Sequence, residues 1–173
     1  MVGNFSYFFK FIFMDLSNLF NNFPPELATF IISMLPVSEL RGAIPVAIGV
    51  YGLNPFQVYF IAVVGNIVPV IFILKYIDPI SKYLMSGSKF FNRFFTYLFE
   101  RTRRKHNGKF EKWGALALIT FVAIPLPITG GWSGALAAFV FDVPFRKALP
   151  LISLGIMIAG VIVAGLSLGV LRF

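Results

Sequence analysis

Two charged side chains, Glu39 and Arg41, interrupt an otherwise apolar region, in the run Pro36-Val37-Ser38-Glu39-Leu40-Arg41-Gly42. A carboxyl group held away from water is a candidate proton carrier. A guanidinium offers a planar fork that holds two oxygens of a phosphate or carboxylate at once. Further along, Pro125-Leu126-Pro127-Ile128-Thr129-Gly130-Gly131-Trp132-Ser133 carries no charge. Its consecutive glycines let backbone N–H groups approach a ligand closely. Glu39, Arg41, Gly42, Pro125, Pro127, Thr129, Gly130, Gly131, Trp132 and Ser133 are therefore the candidate substrate-binding or coupling residues. Arg41, with helices that start near Gly42 and Gly131, suits an anion. Glu39 suits proton coupling. Two plainer readings stand beside these. Glu39 and Arg41 could lie at an interfacial turn, and Gly130-Gly131 could serve close helix packing alone.

Other chemistries lack their residues. The chain has no cysteine and one histidine, His106, so thiolate metal sites, disulfides and thiol catalysis are excluded. No cluster of carboxylates is present to hold a metal or activate water. No enzymatic activity and no cofactor are expected.

The elements that must position these residues follow from composition. Of 173 residues, 58% are hydrophobic and 13% charged, about half the charge of an average soluble domain. A mean hydropathy of +0.83 leaves too little polar surface for a water-soluble fold. An all-α integral membrane protein is expected, multi-pass in the cell (plasma) membrane. The window 75–112 holds ten of the fifteen basic residues and three of the seven acids, a net +7 of the chain's +8. A basic segment between apolar halves reads as a cytoplasmic loop. Its Arg101–Lys105 run does not call for nucleic acid, because the flanking apolar segments already account for the charge. Residues 80–99 fit a basic amphipathic helix on the inner leaflet, or simply a solvated loop.

Residues 56–74 and 148–171 are long enough to span, the first with a bend expected at Pro69 and the second with Pro150 in its first turn. Two other apolar regions are broken. Residues 27–38 and 43–52 flank Glu39–Gly42, and 113–124 and 132–141 flank residues 125–131. Arms of 10–12 residues reach about 15–18 Å, half of a hydrocarbon core about 30 Å thick. The expectation is two re-entrant hairpins with tips near the midplane, where non-helical backbone must be buried or face water.

The halves match at an offset of 89: Pro36 with Pro125, Gly42 with Gly131, Pro55 with Pro144, Phe56 with Phe145. Charge places the turn at 52–55 outside and residues 142–147 inside, so the repeats are inverted, as in many secondary transporters. The fold class expected is thus two inverted repeats, each a re-entrant helical hairpin plus a transmembrane helix, with interfacial amphipathic helices. One membrane domain, 1–173, divides into an N-terminal interfacial helix (1–26), repeat 1 (27–74), the basic cytoplasmic segment (75–112) and repeat 2 (113–173). The first of these could instead be a short span.

The stretch 36–45, Pro-Val-Ser-Glu-Leu-Arg-Gly-Ala-Ile-Pro, paired with 125–134, Pro-Leu-Pro-Ile-Thr-Gly-Gly-Trp-Ser-Gly, resembles the small multidrug export family of prokaryotic membrane proteins. The resemblance covers roughly residues 27–171 and adds Pro45 to the candidate site. The pattern is also similar to the DedA/VTT superfamily, with its paired re-entrant hairpins. Some members are implicated in flipping polyprenyl phosphate lipids with the proton-motive force. The resemblance puts the DedA-type acid and arginine on Glu39 and Arg41.

The function expected is a proton-coupled secondary transporter for a small or lipid-linked anionic substrate, polyprenyl-phosphate-type lipids included. Its site would lie between the hairpins at the midplane. A cation/proton multidrug exporter is the alternative, and a non-transporting membrane scaffold the second. The partners implied are the lipid bilayer, the substrate and protons, without nucleic acid; a homo-oligomer is left open.

Overall fold

The computed structural model describes residue 20, residues 23–87, residues 93 and 96, and residues 108–125 and 129–171. The expected N-terminal helix over 1–26 falls almost wholly outside the described residues. Residues 88–92, 94, 95 and 97–107 of the basic segment, and Pro127, also lie outside the described residues.

All described elements are helices: α1 (Pro25–Met34), α2 (Glu39–Gly49), α3 (Pro55–Gly87), α4 (Gly108–Ala123), α5 (Gly131–Val140) and α6 (Phe145–Leu171). The order is short, short, long, twice over. The ends of α1 and α4, at Met34 and Ala123, are 89 residues apart, the offset read from the prolines and glycines.

Local chemistry explains the boundaries. Pro25 opens α1, where a missing N–H costs nothing. Leu35 ends it with ψ 138, extended, as the residue before a proline must be. Ser38 then donates its hydroxyl hydrogen to the carbonyl of Ile32 at 2.7 Å, closing the turn onto the helix just left. The second break is closed similarly, by the Thr129 hydroxyl donating to the Ile124 carbonyl at 2.6 Å. α1 packs on α2, and α4 on α5, so each broken region is a helical hairpin.

The first break differs from the expectation. It lies at residues 35–38, and Glu39, Leu40, Arg41 and Gly42 already belong to α2. Pro36 and Ser38 do the breaking. An acid at a helix start is favoured by the dipole, so Glu39 begins the helix.

α3 is also longer than expected. It runs 33 residues from Pro55, through Pro69 and Pro79, to Gly87, continuing into the basic segment. The edge of the apolar stretch is marked where Phe72 stacks on Tyr76 and the Lys75 ammonium lies 5.5 Å from the Tyr76 ring centroid, an aromatic and basic belt. Beyond it, Lys82 and Asp78 pair at 2.7 Å in an exposed i,i+4 bridge. α6 begins at Phe145, so Pro150 lies inside it rather than in its first turn. α3 and α6 are long and apolar enough to cross a membrane.

The chain forms two compact units, residues 1–66 with 160–173, and residues 67–159. In the first, Ala28 and Ile32 of α1 are buried, as are Leu40, Ala43, Ile44 and Ala47 of α2, at the spacing of one helix face. Gly160 of α6 lets Tyr59 of α3 approach; a Cβ there would be 2.9 Å from Tyr59 Cε2. In the second, Val122 of α4 packs against α5 at Gly134 and against α6 at Gly155, and Ile152 of α6 also lies against Gly134. Buried hydroxyls are satisfied within their own helices, Thr29 to Pro25 and Ser167 to Val163, as hydrocarbon requires. Outward faces are apolar, with Phe56, Phe60, Phe72, Val161 and Leu166 exposed.

These glycine contacts give a first prediction. A Cβ on Gly155 would lie 2.7 Å from Val122 Cβ and 3.0 Å from the Ile119 carbonyl oxygen, whereas one on Gly165 would meet nothing within 4 Å. Gly155→Ala should lower stability by about 1–3 kcal/mol through overpacking. Gly165→Ala should be neutral or raise it by up to about 1 kcal/mol through helix propensity. Thermal unfolding in detergent separates them; equal effects would contradict the α4–α6 packing.

Candidate functional site

Glu39 is the acid that the fold hides. It is 6% exposed and begins α2 with φ 45. A non-glycine residue in this left-handed region carries strain of about 1–3 kcal/mol. The turn holds it there: Glu39 N–H donates to the Leu35 carbonyl at 2.9 Å, and Gly42 N–H to the Ser38 carbonyl at 2.8 Å. Strain and burial coincide on one titratable side chain.

Arg41 is half-buried in the same first turn. Side chains two apart on a helix point to different sides, yet Arg41 is within electrostatic reach of Glu39. A cation at the positive end of a helix dipole concentrates positive potential there, and the Glu39 carboxylate offsets it. Gly42 is buried. Pro45 lies inside α2, so it has no N–H to give to the carbonyl of Arg41. The first tip thus combines an acid, a guanidinium and helix-start backbone within seven residues.

The second tip is built differently. Gly130 caps α5 with φ 154 and ψ −164, a conformation that glycine adopts most readily. Gly130 and Gly131 are buried, while Pro125, Thr129, Trp132 and Ser133 are partly exposed. The Ser133 hydroxyl donates to the Gly130 carbonyl at 3.3 Å, and Gly134 N–H to the same carbonyl at 2.8 Å. Gly131 and Ser133 therefore act first as the start of a helix. Gly134, absent from the candidates, is where Val122 of α4 packs.

Three polar residues went unnoticed in the sequence. Ser38 closes the first turn. Tyr51, in the turn after α2, has a buried hydroxyl with no hydrogen-bond partner among the described residues; burial pushes its phenol pKa up. Asn66 is completely buried in α3. An Asn in an apolar run was the available signal for the last.

The comparisons with known proteins give one match. The family model described as "Putative small multi-drug export protein" matches residues 39–162, from the first residue of α2 into α6. No curated protein and no solved structure matches the chain. The match takes in Glu39, Arg41 and the break at the second hairpin, over more than half of the chain, and with the two long apolar helices it makes this a membrane protein: the chain belongs to the small multi-drug export family.

Proposed function

We propose that the protein is a proton-coupled exporter of small molecules, multi-pass in the cell membrane, with Glu39 as the coupling carboxyl. The single observation that carries this reading is the burial of Glu39 at the start of α2. That helix has 11 residues, about 16 Å, and α1 has 10. Neither crosses a hydrocarbon core about 30 Å thick, so the hairpin is read as re-entrant and Glu39 as deep. A carboxylate at depth must be paired, hydrated or protonated. Proton and substrate then compete for it: Glu39 in its charged form holds a cationic drug, and protonation from the acidic side releases it. Arg41 is the resting partner of the carboxylate. The name of the family supports export and small drug-like molecules over a polyprenyl-phosphate-type lipid.

Arg41 in the first turn of a helix favours a second reading, an anionic substrate held by the guanidinium and helix N–H groups. Purified protein in liposomes with an imposed pH gradient distinguishes the two. Ethidium is the cationic probe and carboxyfluorescein the anionic one. Export of ethidium that Arg41→Lys leaves within about twofold supports the first reading. Export of carboxyfluorescein that Arg41→Lys reduces tenfold or more, about 1.4 kcal/mol, supports the second. Movement of neither probe would count against both.

The proposed inverted repeats make a labelling prediction. Val50→Cys, in the turn after α2, should react with an impermeant maleimide from outside intact cells. Ser86→Cys, near the end of α3, should react only after lysis. Both positions are exposed, and the chain has no cysteine of its own. The opposite pattern would reverse the topology.

A further inference from the structure

Asn66 is fully buried, at 0% exposure, and neither its amide nitrogen nor its amide oxygen has a hydrogen-bond partner among the described residues. It is the twelfth residue of α3, about 16 Å along the helix from Pro55. In a span read as crossing about 30 Å of hydrocarbon, that is the middle. An amide left dry there costs several kcal/mol. Within a helix, Asn commonly bonds a preceding carbonyl, and Asn66 does not. The same turn carries a second group that the helix does not serve, because Pro69 has no N–H to give to the carbonyl of Gly65. The surroundings are otherwise apolar on this face, with Ala62, Val63 and Val70 buried.

We propose that Asn66 is a binding station for a neutral hydroxyl-type group, one that donates and accepts hydrogen bonds at once. The chemistry of the amide selects the class. Its NH2 needs an acceptor and its oxygen needs a donor. A bare cation would serve only the oxygen and an anion only the nitrogen. A hydroxyl serves both, whether it belongs to water or to a polyol solute. The station stands on the burial of Asn66 and is independent of the role proposed for Glu39. It places a polar foothold halfway along an apolar helix, where a polar group entering the protein can be held.

The test uses the full chain in lipid bilayers with isotope-labelled asparagine. Asn66-Ile67 is the only Asn-Ile pair in the chain, so its resonances are assigned by pairwise labelling with isoleucine and without a mutation. In water-edited solid-state NMR, the Asn66 side-chain NH2 should receive magnetisation from water as strongly as that of exposed Asn54. With carbon-13 glycerol added, transfer from glycerol in place of water would identify a solute hydroxyl as the occupant. Asn66→Leu should remove the signal while keeping or raising the melting temperature, because it removes an amide that the chain does not satisfy. Absence of transfer from both water and glycerol would overturn the proposal. So would a cross-peak from the Asn66 amide to a carbonyl of the chain itself.

Discussion

Glu39→Gln is expected to abolish pH-driven export while leaving a folded protein. Gln keeps the shape of the side chain and its ability to accept hydrogen bonds, but it does not exchange a proton at any physiological pH. A coupling carboxyl has no substitute in an amide, so the whole pH-dependent component of ethidium efflux should disappear. Downhill efflux without a pH gradient should persist. The measurement is a stopped-flow efflux series across imposed gradients, with folded yield by size-exclusion chromatography on the same preparations. A purely structural Glu39 predicts the reverse. Loss of the buried charge beside Arg41 would then cost about 3–5 kcal/mol and reduce the yield, while surviving protein would keep its pH slope. The strained φ of Glu39 gives a further check: Glu39→Gly, which relieves the strain, should fold and still fail to couple.

Gly65→Leu should produce the largest loss of stability in the first unit. A Cβ at Gly65 would collide with the Ser33 hydroxyl oxygen and lie 2.7 Å from the backbone carbonyl oxygen of Phe30. The hydroxyl could rotate, but the carbonyl belongs to α1 and cannot give way without moving the helix. Ser33 also donates to that carbonyl at 2.7 Å, so the collision breaks a part-buried hydrogen bond as well. Overpacking of this kind typically costs about 1–3 kcal/mol. The leucine adds three carbons beyond the first, so the upper end or more is expected. Gly65→Ala should lie near the lower end. Graded thermal unfolding, glycine above alanine above leucine, confirms the α1–α3 contact; an unchanged melting temperature for the leucine variant would disprove it.

Much of this architecture was legible because it follows from local rules. Apolar length identified α3 and α6, and Pro36 and Pro125 marked breaks that no helix runs through. The offset of 89 between the prolines reappears between the ends of α1 and α4. The misplacement of the first break by about four residues has a local cause too. Charge drew the reading to Glu39–Gly42, whereas proline geometry and the Ser38 hydroxyl ended the helix earlier. α3 was cut short at Lys75 for a similar reason: loss of hydropathy ends a membrane crossing, but not a helix.

The sequence by itself determined that this is a helical membrane protein with two broken apolar regions and two candidate charges on one of them. It did so because backbone groups in hydrocarbon leave helices as the economical solution, and because proline and charge act on their immediate neighbours. Only the tertiary structure decided that Glu39 is buried and strained in α2, that Gly65 is a contact point for α1, and that Asn66 is sealed from solvent without a partner in the described chain. Those properties depend on which helix packs against which face. An apolar run has no strong preference for one face over another until neighbouring helices cover it, so burial of a particular polar atom is set by packing across the fold rather than by its neighbours in the chain.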